Sequence, residues 1–327
     1  MAPKPPVAEI GVLIYPDAQL GAVHGLTDLF TIANRMARER KGPAAPRLRV
    51  SHWRESGGAV TRVFDTEPGG GEPAFVILPP AVTAPITAAD AQPFARWLRE
   101  RRERGSTLCS VCAGAFLLAE TGATDGRTVT THWFFAEAFA ARFPDVRLEI
   151  DKLVIDDGDL ITAGGLMAWT DLGLKLVERL LGPTVMLDAA RFLLVDPPGR
   201  EQRYYSAFSP RLHHGDEAIL KVQHWLQATG AHGATLDAMA AKAGLEPRTF
   251  LRRFRTATDM KPTEYCQRLR IGRARELLET THGTVEQIAF EVGYEDASAF
   301  RKLFQRIVGL SPREFRVRFN GPAALAG

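Results

Sequence analysis

A ten-residue pattern that occurs twice in the last third limits what this chain can fold into more than any other feature. Thr235-Leu236-Asp237-Ala238-Met239-Ala240-Ala241-Lys242-Ala243-Gly244 lines up with Thr284-Val285-Glu286-Gln287-Ile288-Ala289-Phe290-Glu291-Val292-Gly293. In each copy a threonine can cap a helix, an acidic residue sits in its first turn, and apolar residues recur at helical spacing until a glycine supplies a left-handed turn. Ala240 and Ala289 fall mid-helix, where a small side chain lets a second helix approach. After each glycine come a few turn residues and another amphipathic helix, at 247–257 and about 296–308. Two helix-turn-helix units are therefore expected, at about 235–257 and 284–308. A solenoid would need at least three such units.

On each second helix an i, i+4 phenylalanine pair marks the inward stripe: Phe250 with Phe254, and Phe300 with Phe304. The opposite faces are basic. Arg248, Arg252 and Arg255 lie on one, and Arg301, Lys302, Gln305 and Arg306 on the other. Each unit closes with a proline followed three residues later by an aromatic, Pro262 to Tyr265 and Pro312 to Phe315. Between the units, residues 262 to about 279 read as one stiff helix. Successive exposures of the major groove on one face of a duplex are roughly 34 Å apart, and a fixed rod between two helices can hold them at that interval. Charge distribution agrees. From Arg211 onward the chain carries 18 basic and 13 acidic residues, a net of +5, whereas the part before it carries −2. A compact positive domain suits a polyanion.

These residues resemble the C-terminal DNA-binding domain of the AraC/XylS regulators over about 215–320. The carriers are Arg-Ala-Arg-Glu-Leu-Leu at 273–278, Ile-Ala-Phe-Glu-Val-Gly-Tyr at 288–294 and Gly-Leu-Ser-Pro-Arg-Glu-Phe-Arg at 309–316. The resemblance implies double-stranded DNA as partner, with Arg248, Thr249 and Arg252 of the first unit and Ser298, Arg301, Lys302 and Gln305 of the second facing it. One departure is Glu246, which stands where the family has a serine or threonine cap and is a poor N-cap.

From Glu9 to about Val195 strand-like and helix-like stretches alternate, which predicts a doubly wound α/β domain with its sheet covered on both faces. Strands are expected at 10–15, 48–53, 74–78 and 106–111, and helices at 21–38, 90–103 and 169–181. Residues 185–194 read as a late helix whose apolar face could meet a second copy or pack inward. Residues 196–213 lack periodicity and mark a linker between domains at 8–195 and 214–320.

Within the first domain, Ser110-Val111-Cys112-Ala113-Gly114-Ala115-Phe116 is a strand that turns abruptly into a helix with a cysteine at the corner. Such an elbow exposes a side chain at the end of a sheet, and its small neighbours permit the tight turn. His132 follows twenty residues later. Cys-Ala-Gly-Ala-Phe-Leu-Leu-Ala-Glu at 112–120, with Asp-Gly-Arg-Thr-Val-Thr-Thr-His-Trp at 125–133, resembles the class I glutamine amidotransferase-like superfamily. More narrowly, it is similar to the DJ-1/PfpI-type, flavodoxin-like sensor domain of GlxA-like regulators. Ile161-Thr162-Ala163-Gly164-Gly165 and the segment around Gln202 match as well.

Enzymes of that superfamily add an acid to the Cys-His pair, and its expected place, near Ala22, holds none. The resemblance then implies a non-catalytic pocket in which Cys112, Ala113, Gly114 and His132 surround a small effector of the nitrogenous-metabolite kind. The rival is a cysteine-dependent amidase or hydratase tethered to DNA. Cys109 and Cys112 also form a Cys-x-x-Cys, but Cys109 falls inside the strand; a zinc site would want four ligands, so no metal and no cofactor is expected. Three cysteines, no apolar run approaching the roughly 18 residues of a spanning helix, and an N-terminus without an export pattern predict a cytoplasmic chain. The expected whole is a ligand-controlled transcription regulator, more often an activator in this family, acting as a homodimer and, if it activates, through RNA polymerase.

Overall fold

The computed structural model describes residues 7–67, 71–197, 199, 201–206 and 208–320. The N-terminal Met1–Pro6 stretch and residues 198, 200 and 207 of the expected linker lie outside them. The chain divides into two compact units, one through Gln202 and one from Arg203.

The first unit is built on strands β1 (Val7–Ile14), β2 (Arg47–Ser56), β3 (Ala59–Asp65), β4 (Phe75–Leu78), β5 (Thr107–Val111), β6 (Thr128–Val129), β7 (Arg147–Leu148), β8 (Val154–Asp156) and β9 (Leu160–Ala163). Seven of them form one sheet in the order β3-β2-β1-β4-β5-β9-β8, while β6 and β7 pair separately. The five inner strands run parallel, and β3 and β8 close the edges antiparallel. Every residue of β4 and β5 is buried, as expected for strands covered on both faces.

Helices α1 (Leu20–Lys41), α2 (Ala88–Glu103), α3 (Gly114–Ala119), α4 (Ala136–Arg142), α5 (Trp169–Leu181) and α6 (Pro183–Leu193) supply the cover. Helices α1, α5 and α6 pack together as one layer, and α2 packs on α3 in another. The β1-α1-β2 crossover steps one way along the sheet and β4-α2-β5 the other; right-handed connections therefore put α1 and α2 on opposite faces. This is the doubly wound architecture read from the sequence. The two antiparallel edge strands were not foreseen there. The turn of strand order falls between β1 and β4, and ligands of such sheets bind outside the carboxyl ends near that point.

The second unit is all helical: α7 (Glu217–Thr229), α8 (Leu236–Ala243), α9 (Pro247–Thr258), α10 (Pro262–Thr280), α11 (Val285–Glu291), α12 (Ala297–Val308) and α13 (Pro312–Phe319). It has two cores. Ile219, Val222, Leu226, Met239, Phe250 and Phe254 make the first, and Ile288, Phe300, Leu303, Phe304, Val308 and Phe315 the second. Helix α10 serves both, giving Tyr265 and Cys266 to the first and Ile271, Ala274, Leu277 and Leu278 to the second. The four repeat phenylalanines are fully buried, each contributing roughly 1.5–3 kcal/mol of apolar burial.

Candidate nucleic-acid interface and effector site

Each lobe of the second unit is a helix-turn-helix whose first helix ends at or just before a left-handed glycine, Gly244 at φ +67° and Gly293 at φ +86°. Thr235 caps α8 by accepting from the Ala238 N–H at 3.1 Å. Thr284 and Gln287 close a full capping box on α11. Ala240 and Ala289 are buried in the cores that hold the phenylalanines of α9 and α12, in keeping with the small side chain at both positions. The inward stripes stack as ring pairs, 5.4 Å between centroids for Phe250 and Phe254 and 5.7 Å for Phe300 and Phe304.

With those stripes turned in, the polar residues of α9 and α12 turn out. Arg248, Arg252 and Arg255 are exposed, as are Ser298, Arg301, Lys302, Gln305 and Arg306, and Thr249 is half-buried. Two arginines of these helices are paired with carboxylates. Arg253 is held by Asp216, the cap of α7, with bonds of 2.9 and 2.7 Å. Arg301 is ion-paired with Glu286 on α11, a tie the repeat does not reveal. Helix α9 begins at Glu246 with no side-chain cap and Pro247 in its first turn, whereas Asp296 caps α12 through the Ser298 N–H at 2.8 Å.

In the first unit Cys112 follows β5 directly at φ +54°, a left-handed conformation unusual for a non-glycine residue. Its N–H donates to the Ala163 carbonyl at 2.7 Å, and its own carbonyl accepts from the Thr131 hydroxyl at 2.7 Å. The elbow can form because Gly114 lets α3 start against the end of β4: a Cβ there would lie 2.5 Å from the Leu78 carbonyl oxygen and 2.8 Å from that of Pro79. Burial pushes the Cys112 thiol up to about 11, against a smaller opposing pull from the Ala113 N–H. Tyr15, buried beside it, donates its hydroxyl to Pro79 O.

His132 is half-buried and burial lowers its pKa. Its Nδ1 accepts from the Phe134 N–H at 3.1 Å, so the neutral ring carries its proton on Nε2. Among the described residues no hydrogen bond joins Cys112 to His132; they are related through Thr131, which lies next to His132 and bonds the Cys112 carbonyl. Ala22, where the acid of a triad was sought, is fully buried. Cys109 is sealed inside β5, and burial raises its pKa strongly. The described residues contain no cluster of three or more His, Cys, Asp or Glu side chains suited to a metal.

The residue that organises this loop is Gln202, marked in the sequence only as part of a segment that resembles the sensor-domain family. It is buried, its Nε2 donates to the carbonyls of Thr131 at 2.9 Å and Ile150 at 2.8 Å, and its Oε1 accepts from the Trp133 N–H at 2.9 Å. Both amide protons and the carbonyl oxygen of one side chain thus tie the residues on either side of His132 to the turn at Ile150. Gly164 makes room for it, since a Cβ there would overlap the Gln202 amide nitrogen and come within 2.8 Å of the Thr131 carbonyl oxygen. Further along, Arg275 of α10 donates to the carbonyls of Tyr204, at 2.9 Å, and Ser206. The segment expected to link the domains is therefore itself anchored, Gln202 in the first unit and residues 204–206 in the second.

The DJ-1/PfpI family matches residues 60–179, and a helix-turn-helix domain matches residues 239–318. The HTH-type transcriptional regulator GlxA of Rhizobium meliloti is 26% identical over 321 residues, covering 95% of this chain and 96% of its own length. The HTH-type transcriptional regulator CdhR of Pseudomonas aeruginosa is 28% identical over 232 residues, 70% of this chain and 69% of its own. Over 92 residues, 28% of this chain and 33% of its own, the HTH-type transcriptional activator RhaS of Escherichia fergusonii is 38% identical. No helix among the described residues is long and apolar enough to cross a membrane.

Proposed function

We propose that this DNA-binding transcriptional regulator, in which a DJ-1/PfpI-family domain is joined to an AraC-type helix-turn-helix domain, is controlled by a small metabolite held at the Cys112 elbow. Arg248, Thr249 and Arg252 of α9 and Ser298, Arg301, Lys302 and Gln305 of α12 read the duplex, supported by the exposure of all but the half-buried Thr249 on faces opposite the buried phenylalanines. Arginine supplies the two-bonded grip on guanine. The regulator works in the cytoplasm as a homodimer and activates transcription through RNA polymerase. For activation, the support is the RhaS relative, itself named an activator.

The observation that carries metabolite control is the Gln202 latch. Its side chain grips both flanks of His132, and two residues further along the chain the carbonyl of Tyr204 is gripped by Arg275 of the rod between the lobes. A ligand that moves the His132 loop pulls on a segment fastened to the reading domain, and it biases DNA binding to the extent that it prefers one of the two states. Cys112 lines the pocket without reacting. A thiol raised to about 11 is protonated at neutral pH, and a histidine whose Nδ1 is already accepting a bond is a weak partner for it.

The test is a thermal-shift screen of the full chain against amino acids, amines and related nitrogenous metabolites. A specific ligand at a hundred times its Kd should add about 2.7 kcal/mol of stability and change operator affinity. Gln202→Ala should still bind it yet respond less on DNA, and Cys112→Ala should keep the response. Turnover of the ligand that vanishes with Cys112→Ala would establish the enzyme reading in place of this one.

A further inference from the structure

Two carbonyl groups from different lobes of the reading domain converge on one side chain of the rod. Arg270 stands near the middle of α10; its Nη2 donates to the Ala231 carbonyl at 2.9 Å and its Nη1 to the Gly293 carbonyl at 3.2 Å. Ala231 is buried in the first core, in the turn between α7 and α8, and holds φ +59°, where a non-glycine residue is uncommon. Gly293 is the turn residue of the second helix-turn-helix. The guanidinium also lies over the ring of Tyr294, 5.6 Å from its centroid, and Tyr294 packs on the second core. The first lobe reaches the same spot directly, because a Cβ on Gly293 would sit 3.4 Å from the His232 ring as well as from the Arg270 guanidinium carbon. The Arg270 Nε is buried with no partner, so the two carbonyls and the ring set where this cation sits.

A helix shared at its two ends fixes the distance between two lobes but leaves each able to rock about it. A planar guanidinium bonded to one carbonyl on each side removes that freedom more firmly than a lysine, whose donors share one nitrogen on a flexible stem. We infer that Arg270 is the positioning residue that holds α9 and α12 in phase, so that the protein accepts DNA only when its two contacted boxes stand at one spacing. This rests on the reading of α9 and α12 as the helices that enter the duplex. One inserted base pair rotates and displaces the second box relative to the first, and a braced domain must distort to follow it.

The experiment uses the full chain and a duplex that the wild-type protein selects from a random-sequence pool, footprinted to locate two protected boxes, then remade with one and two base pairs inserted between them. Wild type should lose about tenfold or more in affinity per insertion. Arg270→Ala should bind the original duplex about tenfold more weakly yet lose less than about threefold on insertion, and Arg270→Lys should fall between. A purely structural role predicts a uniform loss with the insertion penalty intact, and that result, or an alanine variant indistinguishable from wild type, overturns the inference. If Arg270→Ala does not fold by circular dichroism, the lysine variant decides by the same insertion penalty. Protection of a single box by wild type would instead remove the two-helix reading, and the brace's role with it.

Discussion

In the first lobe the arginine nearest the core, Arg253, is tied to Asp216, while Arg248 and Arg252 stand exposed with no ion pair among the described residues. In the second lobe it is a residue of the outer face, Arg301, that is tied, to Glu286 of the preceding helix. Helix α9 starts without a side-chain cap; α12 is capped, and α11 before it carries a full capping box. A single repeated pattern has thus produced one lobe with free cations on a loosely begun helix and another with firmer helix ends and a cation already engaged. An exposed pair such as Arg301 with Glu286 is weak and can be displaced at small cost, while Arg306 and Lys302 of the same helix are exposed with no ion pair among the described residues, so the two lobes differ in one engaged cation.

The most forceful way to break this comparison is to empty each core in turn. Phe254→Ala and Phe304→Ala should each destabilise their own lobe by about 3–5 kcal/mol in urea unfolding, and each should erase one footprinted box while sparing the other. Loss of both boxes in both variants would mean that the lobes fold as one. Next in size is the contrast between outer faces. Arg252→Ala should weaken operator binding by about 1–3 kcal/mol and relax base preference in its box. Arg301→Ala should cost less, and Glu286→Gln, which frees Arg301, should tighten binding by up to about fivefold. Weaker binding by Glu286→Gln would show that the pair orients Arg301 for DNA and does not withhold it.

The smallest effect is in acid. The Asp216 carboxyl lies below the usual carboxylate range, chiefly because Arg253 donates to it, with the Ile219 N–H helping and partial burial opposing. A carboxyl depressed in the fold contributes stability that is complete above its unfolded pKa, near ~4, and is lost as pH falls through the lower folded value. The hydrogen-exchange protection of α7–α9, corrected for the intrinsic rate at each pH, should therefore fall on acidification through that window in wild type and fall less in Asp216→Asn, with no difference between the two proteins in α11–α13. Equal acid dependence in the two proteins would remove the ion pair as a point of difference between lobes.

What the sequence disclosed and what it hid follow one physical division. Helix-turn-helix units are local: caps, glycine turns and i, i+4 phenylalanines lie within about twenty residues of one another, so their periodicity is written along one short stretch. The elbow at Cys112 was legible for the same reason, as a run of small residues after an apolar strand. The edge strands β3 and β8 were not, because β3 is largely exposed and β8 is only three residues long, too little for a period to register. Gln202 bonds residues some 50 to 70 positions away, Arg270 bonds carbonyls 39 and 23 positions away on either side, and Arg301 meets Glu286 across a turn. Carbonyl acceptors have no side-chain signature, so polar contacts of this kind leave no trace in composition or spacing.

The shared helix α10 also limits how chains of this kind can change length. An α-helix turns about 100° and rises 1.5 Å per residue, so one residue gained or lost between Cys266 and Ile271 would swing the entire second lobe by more than a quarter of a circle while hardly altering its distance from the first. Insertions in the surface turns on either side carry no such penalty. Drift in length should therefore collect in those turns, and the stretch from Pro262 to Thr280 should keep its residue count even where its exposed side chains vary freely.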